Sequence, residues 1–337
     1  MKKTLIAAAV AAAVAAPAAN AGVTIYGTIH MSIDYLDYEN SRTGVPGGVW
    51  EVNSRTSKLG FKGSEDLGNG LKAIWKVENT LRMTDTGNGS LNHWGGARNA
   101  YIGLAGDWGT FLYGRHDTPY KMAYYASGID MLGDSFMDTN ALYGHQEWRR
   151  DDAIAYVSPN WNGLTIAAAV IPGETTEYDS FADSYSLGLM YSNNGLKLSA
   201  GYEDTQGEVG ADSQNWMVGA GYSMNALDIS AVYVDQEVDG TFDMTSYAVS
   251  MAYTMGNNKL IGTVGQSDWD TGDGTAYGIA VQHMFSKRTS AYLGYSSSEM
   301  LSAHKTQTDS DYGTADAGFD FRGTDSEAVS FGMIHKF

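Results

Sequence analysis

Three aspartates, Asp130, Asp134 and Asp138, stand four residues apart in an apolar stretch, with the bases Lys58, Lys76 and Arg98 before it and Arg149 just after it. Wherever such a segment is helical, carboxylates at i, i+4 and i+8 share one face. Charges of both signs gathered this way can transfer protons, hold a cation, or set a field across a wet gap. The rest of the sequence narrows the choice. Its seven histidines show no metal-ligand spacing, and no Gly-x-Ser-x-Gly elbow or glycine-rich phosphate loop occurs. The run 267–274 resembles a calcium loop, but its third acid comes one place late and no glutamate follows at the twelfth position. The reading is therefore no enzyme, no cofactor and no bound metal. Cysteine is absent, so there is no disulfide framework, and a net charge of −18 speaks against a nucleic-acid partner.

The elements that must position these charges show at the C-terminus. In Val329-Ser330-Phe331-Gly332-Met333-Ile334-His335-Lys336-Phe337, Val329, Phe331, Met333 and Phe337 fall on one face of a strand. Similar segments recur along the chain behind residues 1–21, which read as an export signal: Lys2 and Lys3, an apolar run from Leu5 to Ala16, then Ala19-Asn20-Ala21. Its removal leaves 316 residues and a formal charge of −20. No later stretch carries 18 apolar residues, so helical spans are excluded, while alternating strands fit a transmembrane β-barrel. Sixteen strands are expected, including 23–37, 50–62, 70–84, 93–105, 108–116, 149–158 and 326–337, forming one domain over 22–337. Short turns on one side and long acidic loops on the other match an outer-membrane barrel. Tyr191, Tyr222 and Tyr253, each 31 residues apart and each just before a short turn, suggest an aromatic girdle.

One connection, 117–147, departs from the pattern. It carries Met122, Tyr124, Tyr125, Ile129, Met131, Leu132, Phe136 and Met137. So apolar a loop must pack against something, and the bore of a sixteen-stranded barrel is the nearest place; an outer flap at a subunit contact is the other. If the segment is helical, its three aspartates face away from Leu132 and Phe136. Period-2 alternation then sets the wall. With Leu59 and Phe61 outward, Lys58 points in. With Leu71, Ala73, Trp75 and Val77 outward, Lys72, Lys76 and Glu78 point in. Tyr101 outward puts Arg98 in, and Ile154 and Tyr156 outward put Arg149 in and Arg150 toward the rim. Lys58, Lys76, Arg98 and Arg149 would share mid-height, facing an acidic loop across the water; alternatively they are ordinary solvated wall residues.

Several segments carry a family likeness. The run 58–73, the strands Arg98-Asn99-Ala100-Tyr101-Ile102-Gly103-Leu104 and Phe111-Leu112-Tyr113-Gly114-Arg115, the opening Val23-Thr24-Ile25-Tyr26-Gly27 and the closing His335-Lys336-Phe337 resemble the Gram-negative general porins. The resemblance implies a homotrimer of 16-stranded barrels in the outer membrane, each with its third loop folded inward, in contact with lipid and lipopolysaccharide. It implies that Phe337 is read by the barrel-assembly machinery, and that Glu78 joins the loop aspartates on the acidic side of a constriction. Lys58 stands where the family commonly has arginine, a less rigid choice. The expected function is passive diffusion of small hydrophilic solutes and ions, with a weak cation preference from the excess of acids. The alternative is a substrate-specific channel, which would want a ladder of aromatics in the bore, whereas Trp50, Trp94, Trp148, Trp216 and Trp269 fall mostly at loop ends.

Overall fold

A computed structural model describes residues 22–39, 46–84, 93–143, 148–173, 180–206, 212–239, 242–269, 272–299 and 326–337. The export segment expected at 1–21 lies outside the described residues. Alternation makes the strands. In β11 (Ser213–Met224), Trp216, Val218 and Tyr222 face out while Asn215, Met217 and Gly219 are buried inward. The final strand, β17 (Ser326–Lys336), repeats the pattern, with Val329, Phe331 and Met333 exposed against Ala328, Ser330 and Gly332. This is a wall wet on one side and apolar on the other.

The described residues form seventeen strand segments. From the N-terminus they are β1 (Gly22–Glu39), β2 (Pro46–Ser54), β3 (Lys58–Gly68), β4 (Leu71–Leu81), β5 (Trp94–Gly106) and β6 (Gly109–Asp117). After the long connection come β7 (Arg149–Val157), β8 (Leu164–Ile171), β9 (Ser184–Asn193) and β10 (Leu196–Thr205). Past β11 follow β12 (Leu227–Val238), β13 (Phe242–Met255), β14 (Asn258–Trp269), β15 (Gly272–Met284) and β16 (Thr289–Ser298). Both β2 and β3 pair with β1, β2 opposite Met31–Glu39 and β3 opposite Gly22–Thr28, so together they form one broken stave. Sixteen staves result, each antiparallel to its neighbours, and β17 closes on β1 from Thr28↔Lys336 to Tyr38↔Ser326. The stave expected unbroken at 50–62 is interrupted at residues 55–57, where Arg55 leaves the ladder for an internal ion pair with Asp34.

The short connections sit at one end. At Asn194-Gly195 both central residues have positive φ (50° and 83°), the backbone that a two-residue hairpin needs for its strands to keep their right-handed twist. Tyr222 and Tyr253 are exposed near this end. Near the other end, outward rings pair across strands: Tyr185 with Tyr202, Trp216 with Tyr233, and Tyr277 with Tyr295, at 5.9, 5.0 and 6.2 Å between centroids. Two aromatic bands enclose the aliphatic belt, as amphipathic rings at two lipid–water boundaries would.

Between β6 and β7 the chain forms α1 (Pro119–Ala126) and the single turn α2 (Thr139–Tyr143). Tyr120, Tyr124, Ile129, Phe136, Leu142 and Tyr143 of this connection are fully buried in a cluster with inward side chains of β11–β16. The connection therefore runs along the inside of the wall.

Candidate functional site

Small residues on the wall seat the connection. An added Cβ at Gly188 would collide with the Pro119 carbonyl oxygen, and one at Gly278 would stand 2.9 Å from Met137 Cγ. Wall hydroxyls tie the loop backbone down along its length. Ser186 Oγ accepts from Tyr120 N (2.9 Å), Ser230 Oγ donates to the Ser127 carbonyl (2.8 Å), Ser296 Oγ to that of Phe136 (3.1 Å) and Ser267 Oγ to that of Tyr143 (2.7 Å). Burial pushes the Tyr143 phenol well above its ordinary range, and its hydroxyl bonds Thr263 Oγ1 at 2.7 Å.

The opposite wall holds the bases. At its centre is Glu78, nearly buried, which accepts from Tyr26 Oη at 2.7 Å and Arg98 Nε at 2.9 Å, with Lys76 Nζ 3.4 Å away. The ammonium groups of Lys62 and Lys76 lie over the Tyr26 ring at 5.2 and 5.7 Å. Lys58 is close enough to Arg98, Glu78 and Lys76 to feel all three electrostatically, and it also feels Asp134 of the loop. Glu78 thus sits among the bases as their counter-ion. The expectation that it belongs with the loop aspartates fails, because β4 places it one step from Lys76 on the same inward face.

Arg98 points inward by a route that strict alternation misses. Ile102 and Leu104 are exposed, Tyr101 pairs with Lys76, and the Tyr101 ring contacts His116, so Tyr101 faces in rather than out. Val77 pairs with Ala100 and Asn79 with Ala97, leaving Arg98 and Asn99 both opposite Glu78. That extra residue is a β-bulge, which resets the phase and aims Arg98 at Glu78.

Arg149 has an acid partner of its own. Its Nη2 is 2.7 Å from Asp117 Oδ1 and its Nε donates to Asn99 Oδ1 at 3.0 Å, while Lys121 Nζ is 3.8 Å from the same Asp117 oxygen. These groups clamp the base of the loop where β6 passes into α1. Arg150 rests over the Trp148 ring at 4.9 Å.

The three aspartates do not share a helical face. Residues 129–138 carry no helix, and Gly133, at φ +70°, turns the chain in their midst. Asp138 caps α2, its Oδ1 accepting from Asn140 N at 3.0 Å. Asp130 lines a recess together with Lys197 and Lys259. Asp134 interacts electrostatically with both Lys58 and His30. Leu132 and Phe136 are buried, as the sequence suggested.

Two groups escaped the sequence reading. Arg55 Nη2 is 2.6 Å from the fully buried Asp34, which also accepts from Ser32 Oγ (2.8 Å), Asn53 Nδ2 (2.6 Å) and Ser330 Oγ. The signal was present: Met31, Ile33 and Tyr35 outward turn His30, Ser32 and Asp34 inward. Phe337 closes the seam, its backbone exchanging two 3.1 Å hydrogen bonds with Gly27.

A sealed wall with an apolar belt, two aromatic bands and a charged interior crossed by a chain segment defines a membrane-spanning barrel protein. A family model described as Gram-negative porin matches residues 7–300, and the chain belongs to that family. It is 35% identical over 209 residues to the major outer membrane protein P.IB of Neisseria meningitidis, covering 60% of this chain and 58% of that protein. The counterpart in Neisseria gonorrhoeae is 32% identical over 205 residues, covering 58% and 55%. The match thus spans somewhat over half the length of these relatives. In fold the chain is similar to an anion-selective porin from Comamonas acidovorans, with a TM-score of 0.72 at 19% identity over 94% of this chain and 100% of that one. It is also similar to OmpT of Vibrio cholerae in its trimer form, with a TM-score of 0.66 at 17% identity over 94% and 99%. The protein resides in the cell outer membrane; in outer-membrane barrels the short turns lie on the periplasmic side.

Proposed function

We propose that the barrel is a water-filled channel for passive diffusion of small hydrophilic solutes and ions. The observation that carries this reading is the long connection lying along the inside of a sealed sixteen-stave wall, with Asp134 in electrostatic contact with Lys58. A wall of sixteen strands is too wide for side chains alone to fill. In planar bilayers the purified protein should give ohmic conductance steps; a stably inserted barrel without conductance would contradict the reading.

The constriction is built from Lys58, Lys76 and Arg98 with Glu78 among them, and Asp134 across the bore. Arg149, Asp130 and Asp138 act at the loop's base, underside and helix cap. The many acids of the sequence favour cations at the mouths, but beyond ~8 Å they are screened at physiological salt. The wall cluster has more bases than acids and is local. Anions are therefore favoured, in place of the weak cation preference expected from total charge. A reversal potential of cationic sign in a KCl gradient at physiological salt would contradict this.

The working unit is a homotrimer, supported by family membership and by the fold likeness to a porin described in a trimer form. Lipid and lipopolysaccharide surround it, and Phe337 serves the barrel-assembly machinery. Three equal conductance steps lost together, with a heat-sensitive trimer on native gels, would be the mark of that assembly.

A further inference from the structure

Beneath the loop, on the periplasmic side, the wall forms a recess of about 230 Å³ lined by Gly128, Asp130, Lys197, Ser223, Asp228 and Lys259 among others. That is below the ~300–1,000 Å³ of pockets for drug-sized ligands and suits a single small solute. Lys197, Asp228 and Lys259 come one or two residues into β10, β12 and β14, directly after short turns, so three charges share one height at the exit of the bore. The loop roofs them. Gly128 turns there at φ +82°, and a Cβ on it would come within 2.9 Å of Lys197 Nζ. Asp130 hangs from the same elbow, and Ser230 ties that elbow down through the Ser127 carbonyl.

Two features suggest a ligand. Among the described residues neither Lys197 nor Lys259 is in an ion pair, although two carboxylates line the same recess. Both lysines are half-buried, so a solute bound between them would take the place of water at their ammonium groups. The recess also carries both signs, two lysines and two aspartates, with Asp228 Oδ1 held by Ser223 Oγ at 2.6 Å. A plain anion would meet both lysines but also both acids.

We propose that this recess is a subsite for a small zwitterion of the α-amino-acid class, entered from the periplasmic mouth. The carboxylate goes to Lys197 and Lys259, and the ammonium to Asp228 and Asp130. The inference rests on the bore being an open aqueous path.

The test is current block in planar bilayers. L-Glutamine is added to the periplasmic side in KCl, with acetate and methylammonium at equal concentration as single-charge probes. Glutamine should reduce the current saturably, and acetate and methylammonium should not. Lys197→Gln/Lys259→Gln and, separately, Asp228→Asn should each raise the half-blocking concentration about tenfold. A protein that conducts KCl but shows no saturable block, is blocked equally by acetate, or keeps its glutamine block in both variants overturns the subsite. A protein that shows no KCl steps overturns the open path itself.

Discussion

At the scale of single residues, Glu78 sets the charge balance of the wall. It is the shared acceptor of Tyr26 and Arg98 and lies beside Lys76, so Glu78→Gln leaves these bases without their counter-ion. The reversal potential in a KCl gradient should move toward anions. The barrel should also lose about 1.5–3 kcal/mol, the scale of a hydrogen bond to a charged group, read as a lower unfolding midpoint in denaturant. Asp134→Asn should shift the reversal potential the same way, because Asp134 acts on Lys58. Asp138→Asn should shift it little, since that side chain caps α2 and asparagine caps as well. Equal shifts from the two would contradict this division of roles. The inward direction of Lys58, Lys76 and Glu78 was legible from period-2 alternation alone. For Arg98 alternation succeeds only by an accident of phase: it puts Tyr101 on the wrong face, and the bulge at Arg98–Asn99 cancels the error. Nothing in the local sequence marks a bulge, which is settled by pairing across strands.

At the scale of elements, the long connection was recognisable from its buried apolar residues, but its internal shape was not. The spacing of Asp130, Asp134 and Asp138 suggested a helix, whereas Gly133 and the wall contacts hold 129–138 in irregular backbone. A tertiary hydrogen bond from Ser296 to the Phe136 carbonyl stands in place of a helical one. The seat was legible in hindsight, since Gly188, Gly201, Gly219, Gly265, Gly278 and Gly294 all lie on inward positions along the loop's path. Filling that seat should dislodge the loop. In Gly278→Leu the new side chain meets Met137, and overpacking of this kind costs about 1–3 kcal/mol. The expected result is a larger and noisier single-channel conductance with faster proteolysis within 118–143. Unchanged conductance would show that the loop does not narrow the bore.

At the scale of the whole molecule, closure and total charge matter. Barrel class, strand count and the asymmetry of turns and loops followed from alternation repeated over the chain, because a membrane wall enforces one period on every strand. The break at 55–57 did not follow, because it depends on the Arg55–Asp34 contact across the fold. Charge has a scale-dependent effect. As salt falls from 0.15 M to 0.01 M the screening length grows from about 8 to 30 Å, so the acidic mouths reach the constriction. The reversal potential should drift toward cations on dilution; a drift toward anions would place the controlling charges elsewhere. The central claim is that a loop inside a sealed sixteen-stave cylinder leaves a narrow aqueous aperture. Its most direct test is single-channel conductance in the presence of neutral polymers of graded size. The account predicts that only the smallest polymers enter and depress the current, with the cut-off moving to larger sizes in Gly278→Leu. A native cut-off already as wide as an empty sixteen-stranded barrel would contradict it.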